Sequence, residues 1–128
     1  MSLGEKLRVM VVDDMSVSRG LIIQALEWMG IKNIDFCGDG ATAFKRVAVN
    51  PVHLVISDFN MPGADGLTLL QGLRQHARTK QVGFILITGT ADPAIIERGH
   101  KLGMNNYIKK PFSPEGLKAC VERVVGRL

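Results

Sequence analysis

Two cysteines in 128 residues leave little room for cysteine chemistry: Cys37 and Cys120 lie too far apart to form a metal-ligand pair by spacing. Both are expected to be buried packing thiols. Aromatic residues are scarce too, with one Trp, one Tyr and five Phe, and no basic run is interleaved with them. The excess of 16 basic over 12 acidic residues gives a net charge of +4 and a pI near 9.3, but the cations are scattered, as at Arg74, Arg78 and Lys80. A solvated surface is expected, with no nucleic-acid partner. The chain also lacks the apolar run of about 18 residues that would span a bilayer. Its first residues, MSLGEKLRV, lack the apolar centre and cleavage site of a signal peptide. The expectation is a soluble cytoplasmic protein with no membrane partner.

What is present is an alternation of two periods. Short apolar, β-rich runs occur at LRVMVV (7–12), NIDFC (33–37), HLVIS (53–57), FILIT (84–88) and NYIK (106–109), predicting five strands. Between them the period changes to that of a helix: Ile22, Ala25, Leu26 and Met29 fall at i, i+3, i+4 and i+7, as do Leu117, Cys120, Val121 and Val124. Residues 40–49, with Phe44, Val47 and Ala48, and 66–77, with Leu69, Leu70 and Leu73, supply further helices. Ser16, Asp92 and Ser113 are placed as N-caps, Pro93 and Pro114 at first helical positions, and Gly30 and Gly103 just past helix ends. Continuous apolar strands are covered on both faces, so the prediction is an α/β protein: (βα)5, a parallel sheet with helices on each side.

In such sheets ligands gather beyond the carboxyl ends of the strands. There the first strand ends in Asp13 and Asp14, the third in Asp58, the fourth in Thr88 and the fifth in Lys110. Taken singly, each is an ordinary turn or strand residue. Taken together, three carboxylates would repel one another unless a cation offsets them. Oxygen ligands with no nearby His or Cys point to Mg²⁺, which completes its shell with water and phosphate oxygens. A carboxylate in such a cluster is suited to act as a nucleophile toward a phosphoryl group, with Lys110 neutralising charge and Thr88 donating a hydrogen bond.

With VVDD at 11–14, SDFNMPGADG at 57–66, ITGT at 87–90 and YIKKPF at 107–112, in that order, the chain resembles a response-regulator receiver domain. It is most like the single-domain chemotaxis regulators, the CheY-like type, over about residues 7–126. The resemblance implies a doubly wound, flavodoxin-like sheet in strand order 2-1-3-4-5. It also implies Asp58 as phosphoacceptor, Asp14 and Asp58 as Mg²⁺ ligands together with the main-chain carbonyl of Asn60, and Asp13 supporting the metal through water. Lys110 would bind the phosphoryl group, leaving Lys109 at the surface. Thr88 and Tyr107 resemble the family's switch pair, whose movement alters the face made by the fourth helix, the fifth strand and the fifth helix. Gly89 stands where the family often has alanine. Thr90 stands where better-known chemotaxis regulators carry an acidic residue, and with Asn60 it is expected to influence phosphoryl lifetime.

The function expected from this resemblance is a phosphorylation-activated signalling switch of a two-component system, receiving its phosphoryl group from a sensor histidine kinase. The flagellar motor switch is the simplest target, and a phosphate sink or phosphorelay intermediate is the alternative. The chain is expected to catalyse its own aspartyl phosphorylation and dephosphorylation rather than to turn over substrate. A haloacid-dehalogenase-type phosphohydrolase is disfavoured because its D-x-D motif follows the first strand, whereas here the aspartates are adjacent. A flavodoxin-like flavin module is disfavoured because DDMS sets two negative charges where a flavin phosphate would sit. His53, His76 and His100 are expected at the surface or in packing roles, and Trp28 in the core or on a partner-facing helix. Residues 1–6 read as an N-terminal extension or expression remnant, 7–128 as one domain, and the protein as a monomer.

Overall fold

The five apolar runs become five strands: β1 Arg8–Val12, β2 Asn33–Cys37, β3 Leu54–Asp58, β4 Gly83–Thr88 and β5 Asn106–Lys109. They are seen in a computed structural model that describes residues 2–90 and 92–128. The strands form one sheet in the order β2-β1-β3-β4-β5, with every neighbouring pair parallel, as expected from the sequence. Among the described residues there are six helices: α1 Leu3–Lys6, α2 Ser16–Trp28, α3 Gly40–Val49, α4 Gly66–Gln75, α5 Pro93–Lys101 and α6 Pro114–Val125. No helix among the described residues is long and apolar enough to cross a membrane.

Period two along each strand divides the core in two. Val9 and Val11, Leu54 and Ile56, and Ile85 and Ile87 pack with Ile22, Ala25 and Leu26 of α2 and Leu117, Cys120 and Val121 of α6. Met10 and Val12, Val55, and Phe84 and Leu86 turn the other way onto Ala43 and Val47 of α3 and Leu67, Leu70 and Leu73 of α4. Both faces of the sheet are therefore dry along β1, β3 and β4, which is why those strands lack the polar alternation of a half-exposed sheet, whereas the edge strands β2 and β5 are partly exposed. Cys37 and Cys120 are buried and unbridged, as anticipated.

Several local expectations are corrected. The extra helix is α1, closed by a capping box in which Ser2 and Glu5 bond reciprocally, with Leu3 packed against the core. Ser16 is the first helical residue rather than the N-cap: Met15 holds that position without a side-chain cap, and its N–H donates to Asp13 Oδ1 at 2.9 Å. That bond is an Asx turn, which fixes the entry of the chain into α2 without capping the N–H groups of its first turn. α4 stops two residues short of Ala77, because the Thr79 hydroxyl donates to the Leu73 carbonyl at 2.7 Å and turns the chain. β3 runs one residue further than predicted and includes Asp58, which pairs with Ile87 of β4. Asp92 and Ser113 cap α5 and α6 as expected. Gly30 and Gly103 follow their helices at φ of 94° and 92°, the left-handed geometry that favours glycine.

Candidate functional site

The parallel sheet sets the carboxyl ends of β1, β3, β4 and β5 along one edge. Asp13 follows β1 with its N–H still bonded to the Cys37 carbonyl of β2 at 3.2 Å, so it sits at the rim of the sheet, fully buried. Asp14 beside it is exposed, and Asp58, the last residue of β3, is 6% exposed. One carboxylate oxygen from each of the three lies within 4.8 Å of the others. Gly66, the first residue of α4, comes so close to this rim that a Cβ there would stand 2.5 Å from the Asp58 carbonyl oxygen.

Lys110 closes the cluster. Its main-chain N–H donates to the Thr88 carbonyl at 2.8 Å, and its ammonium reaches Asp58 Oδ1 at 3.0 Å and Asp13 Oδ2 at 3.7 Å. Burial pushes the Asp58 pKa up; the hydrogen bond and charge of Lys110 oppose this, while Asp13 and Asp14 add to the rise.

Asp13 Oδ1 is taken by the Met15 N–H, but Asp13 Oδ2 is buried without a hydrogen-bond partner. A buried carboxylate oxygen left in this condition is costly unless a cation satisfies it. Three convergent carboxylates with no nitrogen or sulfur donor fit a hard divalent ion of the Mg²⁺ type.

A family model, the response regulator receiver domain, matches residues 9–122. The chain belongs to this family. It is 45% identical to the "Probable chemotaxis protein CheY" of Rhizobium etli, an alignment that covers all of this chain and 99% of that one. It is 35% identical to the chemotaxis protein CheY1 of Helicobacter pylori, over 94% of this chain and 98% of the relative. Its fold is similar to the crystallised CheY4 of Vibrio cholerae, with a TM-score of 0.86 at 26% identity, covering 92% and 98% of the two chains.

Not every anticipated residue of this receiver domain reaches the carboxylates. Thr88 is 1% exposed, and its hydroxyl donates to the Thr90 carbonyl at 2.8 Å while accepting the Thr90 N–H at 3.2 Å. It is engaged with its own loop rather than with Asp58. Tyr107 is half-buried, packs against the same core half as Phe84 and Leu86, and lies opposite Leu86 in the β4–β5 register. By strand alternation Thr88 shares that sheet face, so the two are neighbours on one surface. Asn60 and Thr90 are both exposed in loops leaving the site edge, and Lys109 is exposed as expected. A Cβ on Gly89 would meet nothing within 4 Å, so the alanine common in the family would fit.

His53 accepts the Arg8 N–H, and His76 accepts the Arg78 N–H and sets its ring edge-on to Phe44, so both have packing roles. Trp28, left open between core and surface by the sequence, is 58% exposed, with the Lys118 ammonium 5.9 Å from its ring.

Two residues of the site were not foreseen. Arg19 donates to the Asp13 carbonyl at 2.8 Å and stacks over the Phe36 ring at 5.1 Å, tying α2 to the ends of β1 and β2. Ser18 accepts a hydrogen bond from the Lys110 ammonium at 2.9 Å. A signal for Ser18 was available: it precedes Ile22 by four residues, and so it is a polar residue on the core-facing stripe of α2.

Proposed function

We propose that this chain is a phosphorylation-activated signalling switch in which Asp58 accepts a phosphoryl group from the phosphohistidine of a sensor histidine kinase. The observation that carries the reading is the buried Asp58 carboxylate paired at 3.0 Å with Lys110, beside an Asp13 oxygen that has no hydrogen-bond partner.

The ionised Asp58 oxygen attacks phosphorus; the O–P bond forms as the P–N bond breaks, and the electron pair leaves with the imidazole. Lys110 exchanges its bond to Asp58 Oδ1 for one to a phosphoryl oxygen. Mg²⁺, held by Asp14, Asp58 and the main-chain carbonyl of Asn60 with Asp13 in support through water, would supply charge neutralisation on the phosphoryl oxygens. Thr88 then leaves the Thr90 carbonyl to donate to the phosphoryl group. Tyr107 follows inward, changing the face of α5, β5 and α6 that binds a target. Asn60 and Thr90, at the mouth of the site, set how readily water reaches the acyl phosphate.

The names of the two curated relatives support a role in chemotaxis, with the flagellar motor switch as target. In this reading residues 7–128 act as one receiver unit, monomeric and cytoplasmic, and the catalysis is confined to the chain's own phosphorylation and dephosphorylation. Incubation with acetyl phosphate and Mg²⁺ should add phosphoryl mass to the wild type and none to Asp58→Asn, and only the phosphorylated form should bind motor-switch peptide. Absence of the added mass, or its persistence in Asp58→Asn, sinks the reading. Phosphorylation without peptide binding would redirect it to a phosphate sink or relay.

A further inference from the structure

α2 turns one stripe toward the sheet, and Ile22, Ala25, Leu26 and Met29 on it are all buried. One turn before Ile22 that stripe reaches the carboxyl edge of the sheet, and Ser18 stands there, half-buried, with its Oγ 2.9 Å from Lys110 Nζ. The ammonium thus has three neighbours on three elements: Ser18 on α2, Asp58 Oδ1 at the end of β3, and Asp13 Oδ2 after β1. A lysine has three rotating donors on a flexible four-carbon stem, so its head group is located only as well as its partners hold it.

The three partners differ in what the reaction does to them. Asp58 loses its carboxylate character on becoming an acyl phosphate, and Asp13 is drawn toward any cation bound in the cluster. Ser18 is neutral, is bonded to neither and is unchanged throughout. We propose that Ser18 is a positioning residue for Lys110, fixing the ammonium over Asp58 before phosphoryl transfer and over the phosphoryl oxygen after it. The proposal rests on Asp58 being the phosphoacceptor, and the test separates the two ideas.

Ser18→Ala removes the hydroxyl at a helical position where alanine is well tolerated, so the fold is retained. With acetyl phosphate and saturating Mg²⁺, its maximal phosphorylation rate should fall about three- to tenfold, the net effect of one ordinary hydrogen bond at a half-buried site. Mg²⁺ affinity by calorimetry should change less than about twofold, because Ser18 touches no carboxylate. Ser18→Thr, which keeps the hydroxyl, should restore most of the rate. On a Lys110→Ala background, Ser18→Ala should cost nothing more, since the residue acts through that ammonium.

Independently of any phosphorylation, the ¹⁵N signal of the Lys110 ammonium should be slowed in water exchange in the wild type and lose that protection in Ser18→Ala. An undiminished rate, a further loss on the Lys110→Ala background, failure of threonine to restore the rate, or an unchanged ammonium signal would each overturn the proposal. If the wild type takes up no phosphoryl group, the Asp58 reading fails by itself, and the ammonium signal decides whether Ser18 holds Lys110.

Discussion

At the scale of single residues, the site holds charge that the fold alone would not select. Burial lifts the pKa of Asp58 above the ordinary carboxylate value, so the folded chain binds that proton more tightly than the unfolded chain does. The corresponding stability is fully present below the unfolded carboxylate pKa and is lost as pH rises through the raised folded value. At neutral pH the ionised Asp58 therefore works against the metal-free fold, and Asp58→Asn should raise the Tm there. The gain should shrink as pH falls through the raised folded value, where the wild-type carboxylate takes up its proton, and thermal unfolding of both proteins from neutral to acid pH in metal-free buffer checks it. A gain that does not vary with pH would mean that repacking rather than charge is responsible. Asp13 Oδ2 adds a separate cost, being buried with no hydrogen-bond partner and with only the Lys110 ammonium 3.7 Å away. Acceptance of this cost supports the proposed role of the site in receiving a cation and a phosphoryl group.

At the scale of elements, what matters is how closely helices approach the strand ends. α4 begins against the last residue of β3, and Gly66 is the residue that permits it: a Cβ would also meet Leu86 Cδ1 at 2.9 Å and the Phe59 Cα at 3.2 Å. Gly66→Ala is expected to destabilise the fold by about 2–3 kcal/mol through overpacking against main chain that cannot retreat. Denaturant unfolding measures this, and a loss below about 0.5 kcal/mol would show that α4 can slide instead. α5 is held firmly at one end. Arg74 of α4 donates to the Gly103 carbonyl at 2.8 Å and to Asn105 Oδ1 at 3.0 Å beyond the end of α5, and to the Val82 carbonyl at 2.7 Å before β4. The other end of α5 follows the loop in which the Thr88 hydroxyl is bonded to Thr90.

At the scale of the whole molecule, one sheet separates two cores. Leu26 of α2 and Leu70 of α4 are both fully buried, on opposite sides. Leu26→Ala and Leu70→Ala should each cost about 2–5 kcal/mol. Because the sheet lies between them, the double mutant should show the sum to within about 0.5 kcal/mol. Equilibrium unfolding of the two single mutants and the double mutant tests this; a clear departure from additivity would mean that the sheet transmits strain between its faces. The same architecture made the site edge legible in advance. Parallel strands joined by helical crossovers must all point the same way, so Asp13, Asp14, Asp58, Thr88 and Lys110, each at the end of its strand, had to come to one edge.

The sequence by itself determined the order and type of nearly every main element, the buried faces of the helices, and the convergence of carboxylates and lysine, because periods of two and of 3.6 and the direction of a parallel sheet are local or topological properties. The tertiary structure alone decided which atoms meet. It gave Lys110 a third neighbour in Ser18, left Asp13 Oδ2 without a hydrogen-bond partner, engaged the Thr88 hydroxyl with Thr90 and turned Trp28 outward. Those outcomes depend on how each helix is rotated and how far it is shifted along the sheet, and on side-chain rotamers chosen in competition with neighbours distant in the chain. A periodic pattern names a face but cannot specify its contacts.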